Sequence, residues 1–62
     1  MKTTVNSSII SAIEWVDGTL TITWSSGKST DFHNIPEQEY HSFVSAPSAG
    51  KYFHGTIKQK HA

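Results

Sequence analysis

Residues 46–60, APSAGKYFHGTIKQK, gather most of the groups in this chain that could meet an anion. Lys51, Lys58 and Lys60 carry charge, His54 brings a titratable ring, Tyr52 and Phe53 bring aromatic surface, and the stretch holds no acid. Ser48 has the side chain of a helix N-cap, and a helix starting there turns its first N–H groups outward. Gly50 would let a ligand approach the backbone. Lys51 would add a point charge one turn in, where helix N-termini favour anions. The competing reading is an ordinary cap, with Gly50 serving to bring two helices together. The run PSAGK is not a P-loop, because the glycine–lysine spacing is wrong and no strand leads into it.

Other chemistries are poorly supported. No glycine pattern frames any serine as a nucleophile elbow. The four histidines, His33, His41, His54 and His61, lack the spacing of a metal-binding helix such as H-E-x-x-H. A non-enzymatic protein without metal or cofactor is expected. The chain has no cysteine, so disulfides and thiolate metal sites are excluded. That fits a cytoplasmic protein. No apolar run resembles a signal peptide or a membrane span.

Charge is neutral overall but unevenly spread. All five acids precede residue 40, and three of the five lysines follow residue 50. From Ser48 onward the side chains sum to +3 and the remainder to −3. Zero net charge argues against binding a long polyanion, which needs many phosphate contacts. The absence of arginine removes the bidentate grip on phosphate.

The elements that must position these groups are legible in outline. At 62 residues a single domain over 1–62 is expected. A chain this short buries only about 60% of its unfolded surface. Self-association is the stabilising device still open to it. SSIISAIEWV (7–16) reads as a strand and Asp17-Gly18 as a hairpin turn. In TLTITWS, Leu20, Ile22 and Trp24 alternate with Thr19, Thr21 and Thr23, the pattern of a half-buried antiparallel strand. Ser26-Gly27 marks a second turn, and KSTDFHNI a third strand with Phe32 as its apolar residue. Pro36, Glu37 and Glu39 suit a helix start, and Tyr40, Phe43 and Val44 form its apolar stripe. Pro47 closes that helix. In the next helix Ala49, Tyr52, Phe53, Thr56 and Ile57 share one face, while Lys51, His54, Lys58 and His61 share the opposite edge. Lys60 falls toward the apolar face, so the helix is expected to fray before it. Gly55 sits mid-helix at a cost of about 1 kcal/mol relative to alanine, which suggests a bend or a close backbone contact. The expected fold class is α+β: a three-stranded antiparallel β-meander followed by two short helices packed on the sheet.

Taken in order, several of these residues resemble the KTSC domain, a short module found at the C-terminus of some lysyl-tRNA synthetases and as stand-alone bacterial and phage proteins. The resemblance runs through Ser7-Ser8, Ile10, Ile13, Trp15, Gly18-Thr19-Leu20, Ile35-Pro36 and Tyr40. It is strongest in APSAGKYF, with Ile57 downstream. The chain departs from the family pattern at Thr30 and Phe32, where a Tyr-x-Tyr pair is usual. Ala49 replaces a basic residue and His54 an asparagine, and Lys58 and Lys60 replace arginines. The resemblance implies a meander packed by two helices, and its synthetase context implies an RNA-binding role.

Two functions are therefore expected to compete. In the first, the protein is an oligomeric binder of a nucleotide-like anion, such as a phage-type sponge for a bacterial immune signal acting in the host cytoplasm. Ser48, Gly50, Lys51, His54 and Lys58 would then meet phosphate, and Tyr52 or Phe32 a base. In the second, the same lysines track an RNA backbone. An adaptor using a free sheet edge is a further alternative. Trp15 and Trp24, on neighbouring strands, are read as core or as an oligomer contact.

Overall fold

The structure, a computed structural model, describes residues 1–5 and 7–58. Its centre is the hairpin formed by β2 (Ile10–Val16) and β3 (Thr19–Trp24). Asp17 and Gly18 join them with φ of 49° and 88°. Two successive positive φ values give the turn whose twist matches the flanking strands. Ser25, Ser26 and Gly27, the last at φ 96°, carry the chain into β4 (Ser29–Phe32). There the Trp24 N–H donates to the Lys28 carbonyl at 2.8 Å and the Gly27 N–H to the Trp24 carbonyl at 2.9 Å.

The sheet has four antiparallel strands in the order β1-β2-β3-β4, rather than the three read from the sequence. The extra strand, β1 (Lys2–Thr4), lies along β2 with Thr3 opposite Ile13. It shows no apolar alternation because its one inward side chain is a threonine. That hydroxyl lies 2.6 Å from the Tyr40 hydroxyl, a contact between residues 37 apart in sequence. The second strand also starts later than residue 7. Ser7 folds back, its hydroxyl accepting from the Ile9 and Ile10 N–H groups at 3.3 and 3.4 Å. A register shift between Ile10 and Ala12 follows. This bulge turns both Ile10 and Ile13 inward although they are three residues apart, and it places Ala12 on the outer face between Thr4 and Thr23.

Helix α1 (Glu37–Ser45) begins after Pro36, with Glu37 and Glu39 in its first turn. Acids there favour the positive end of the helix dipole. Tyr40 and Phe43 are buried and Val44 packs half-buried beside them, which is the stripe expected from the spacing. Pro47 separates this helix from α2 (Ala49–Tyr52). Helix α2 runs on without a break into a π-helical segment, Phe53–Ile57. Among the described residues no helix is long and apolar enough to cross a membrane.

Both helices lie on one face of the sheet, and the core forms between the layers. Ile10, Ile13, Leu20, Ile22, Phe43 and Ile57 are fully excluded from solvent. Each such side chain contributes about 1.5–3 kcal/mol relative to an exposed one. Trp15 is half-buried and its indole N–H donates to the Ile35 carbonyl at 2.8 Å, fixing the chain between β4 and α1. Trp24 stands edge-on to Phe53, centroids 5.0 Å apart, and donates to the Thr30 hydroxyl at 3.0 Å. Both tryptophans are core-rim residues with their N–H groups satisfied.

Candidate functional site

The cap at the start of α2 forms as its residue types dictate. The Ser48 hydroxyl accepts from the Lys51 N–H at 3.3 Å, and the Ser48 carbonyl accepts from the Tyr52 N–H at 3.0 Å. Residue 48 is extended (φ −137°, ψ 109°), which turns the chain into the helix and leaves the Lys51 side chain exposed. Tyr52 and Phe53 part company. Phe53 is buried at 7% exposure. Tyr52 is half-buried, its ring stacked on Phe43 with centroids 5.3 Å apart and planes 20° apart.

That stacking leaves the ring of Tyr52 at the boundary of two shallow hollows. One, of about 390 Å³, is lined by Ala46, Pro47, Ser48, Lys51 and Tyr52. The other, of about 230 Å³, is lined by Pro36, Gln38, Glu39, Ser42 and Tyr52. The first has an apolar floor, a hydroxyl, an aromatic ring and an ammonium group. Among the described residues the His41 Nε2 lies 3.0 Å from the Glu37 carboxylate, and no carboxylate pairs with Lys51 or Lys58. The hollow thus offers a positive charge beside a ring, the elements needed to hold an anion carrying a flat group.

The other residues singled out from sequence lie elsewhere. Gly50 is buried and faces the sheet side. A Cβ built on it would stand 3.0 Å from Ile9 Cδ1 and 3.3 Å from Cγ1. The missing side chain makes room for Ile9, so the packing reading describes Gly50 and the ligand-approach reading does not. Phe32 packs against Phe53 at 5.9 Å, on the rim away from the Phe43–Tyr52 stack. His54 is exposed and rests its ring edge-on against Phe53 at 5.3 Å. Lys58 is exposed just past the π-helical segment, where its N–H reaches back to the Phe53 carbonyl. The wider turn adds a residue per turn, so Lys58 is moved around the axis relative to the α-helical spacing from Lys51. Lys60 and His61 lie outside the described residues. A Cβ on Gly55 would meet nothing within 4 Å, so no neighbouring backbone requires this glycine. It falls inside the π-helical segment, a feature that a mid-helix glycine hinted at without specifying. Among the described residues no cluster of three or more His, Asp or Glu could hold a metal ion.

The molecule is thus a small α+β module: an antiparallel meander with two helices on one face and a lysine–tyrosine hollow at the junction between the helices. The KTSC domain family model matches residues 6–61. The chain belongs to the KTSC domain family. A crystal structure of a KTSC domain protein from Yersinia pestis superposes with a TM-score of 0.89 at 31% identity, covering 100% of this chain and 90% of that one. No curated protein matches the chain.

Proposed function

We propose that this protein binds a small nucleotide-like anion without turning it over, in an oligomer whose neighbouring subunit covers the site. The observation that carries this reading is the hollow of about 390 Å³ in which Lys51 and Tyr52 meet. Its volume is at the lower end of ligand pockets, about 300–1,000 Å³. The ammonium of Lys51 would meet phosphate, and outside the hollow the exposed His54 would offer a ring N–H and the exposed Lys58 a further charge on the same helical segment. The ring of Tyr52, already braced by Phe43, would stack on a base. Ser48 lines the same hollow and offers a hydroxyl acceptor and donor.

Shape supports the oligomer. The hollow is open, whereas small-ligand sites bury about 70–90% of the ligand surface. A second copy closing over it would supply the missing wall and strengthen each charge contact by excluding water. Binding without turnover lowers the free concentration of the ligand. In a phage-encoded copy acting in the host cytoplasm, that would be sequestration of a nucleotide signal used in immunity.

Thermal melting with a panel of mono-, di- and cyclic dinucleotides tests the reading. A ligand at about 100 times its Kd stabilises the folded state by about 2.7 kcal/mol. One class of nucleotide is expected to raise the melting temperature of the wild type and leave the Lys51→Ala/Lys58→Ala double variant unmoved. No shift with any nucleotide, or an equal shift in the double variant, overturns it. Short RNAs that shift the protein at low salt and release at moderate salt would instead mark a backbone-tracking mode.

A further inference from the structure

The two edges of the sheet match each other. In β1 the residues whose backbone groups face β2 are the odd ones: Met1 and Trp15 exchange bonds at 3.1 and 2.8 Å, and the Val5 N–H donates to Ser11 at 3.1 Å. Antiparallel pairing alternates, so the N–H and C=O groups of Lys2 and Thr4 point away from the sheet. In β4 the Trp24–Lys28 bond sets the same alternation, and the groups of Ser29 and Asp31 point away. Among the described residues no hydrogen bond engages these outward backbone groups. Each edge therefore presents two residues, spaced two apart, ready to exchange ladder bonds.

The side chains on those residues are complementary. Lys2, Glu14, Thr21 and Asp31 form one row across the outer face, and Thr4, Ala12, Thr23 and Ser29 form the next. One row ends in a cation at the β1 edge and an anion at the β4 edge. Strands β1 and β4 run in opposite directions, because three antiparallel pairings separate them. From these facts we infer that copies of this chain associate head to tail, β4 of one against β1 of the next. Asp31 then lies opposite Lys2 and Ser29 opposite Thr4, with all four outward ladder positions paired. Thr30 of one copy meets Thr3 of the next on the inner face, and both outer-face rows run on without interruption. Two-fold pairing of like edges sets Asp31 against Ser29, or Lys2 against Thr4, and brings no opposite charge across the junction, although Lys2 keeps Glu14 opposite it within its own sheet. The junction also borders the helices, since Thr3, Thr4, Val44 and Pro47 line a hollow of about 240 Å³ beside β1. A head-to-tail contact either closes into a ring or extends as a filament.

This assembly does not depend on the ligand reading, and its test uses ligand-free protein. Analytical ultracentrifugation is run on the wild type, Lys2→Glu, Asp31→Lys, and an equimolar mixture of the two variants. Circular dichroism and thermal melting confirm that each is folded. An additional Asp31→Asn variant keeps an acceptor for the Thr21 hydroxyl, now 2.8 Å from Asp31, and removes only the charge. The wild type is expected to assemble. Each single reversal sets like charges across the junction and weakens assembly ~10-fold, with Asp31→Asn weakened less. The mixture is expected to reassemble. At one junction the glutamate introduced at position 2 faces the lysine introduced at position 31, and at the other the native pair re-forms. A wild type that stays monomeric at millimolar concentration overturns the inference and makes the edge charges guards against pairing. Folded single variants that assemble as the wild type does, or a mixture that stays dissociated, overturn it equally.

Discussion

Replacing Gly50 with alanine sets two effects of known size against each other. Gly50 lies in a helix at ordinary φ, so alanine should gain about 0.8–1 kcal/mol of helix propensity. The new methyl would stand 3.0 Å from Ile9 Cδ1, against about 3.5–4.0 Å for comfortable carbon contacts. Ile9 is 39% exposed, so its tip can retreat, but only by leaving the seat over residue 50. An off-rotamer side chain costs about 0.5–1.5 kcal/mol, and overpacking typically about 1–3 kcal/mol. The net expectation is a loss of about 1 kcal/mol for Gly50→Ala alone. With Ile9→Ala already present the obstruction is gone, and Gly50→Ala should stabilise by about 0.8–1 kcal/mol. The coupling between the two sites is then about 2 kcal/mol. Urea unfolding of the four proteins in this cycle measures it. A coupling below about 0.5 kcal/mol, within ordinary additivity, would refute the packing role assigned to Gly50.

Three further outcomes follow from the same geometry. Gly55→Ala meets nothing within 4 Å and should stabilise by about 0.5–1 kcal/mol, raising the melting temperature by several degrees; a loss of stability would mean that the π-helical segment needs glycine. Tyr40→Phe removes the 2.6 Å contact with Thr3 and should cost about 0.5–1.5 kcal/mol, with exchange of the sheet-facing Thr3 and Val5 amides accelerating more than in β3; uniform acceleration would deny that this contact pins β1. Trp15→Phe leaves the carbonyl of nearly buried Ile35 without its 2.8 Å donor and should cost about 1–3 kcal/mol by thermal melting, whereas an unchanged melting temperature would show that water replaces the indole.

Alternation and turn chemistry made the central hairpin readable, since Asp17-Gly18 and Leu20-x-Ile22-x-Trp24 each encode a local constraint. The i, i+3, i+4 stripe of Tyr40, Phe43 and Val44 was readable for the same reason. Strand β1 was not, because it is held by its backbone ladder to β2 and by the contact of the Thr3 and Tyr40 hydroxyls rather than by an apolar pattern. The bulge at Ser11 was hidden too, since Ile10 and Ile13 at a spacing of three suit a helix as well as an irregular strand. In the candidate site, capping by Ser48 and the outward position of Lys51 follow from local rules. The split between a buried Phe53 and a rim Tyr52 follows from the limited width of a helix face. The loss of Gly50 to packing depends on Ile9, 41 positions earlier, and no local pattern carries that contact. The π-helical segment altered the relation of Lys51 to Lys58 in the same non-local way.

Ligand binding by an assembled protein is most directly tested by native mass spectrometry of the protein purified gently from cells. The account predicts an oligomer carrying a nucleotide-sized mass, lost on Lys51→Ala/Lys58→Ala substitution while the fold persists. A bare monomer under the same conditions would contradict it.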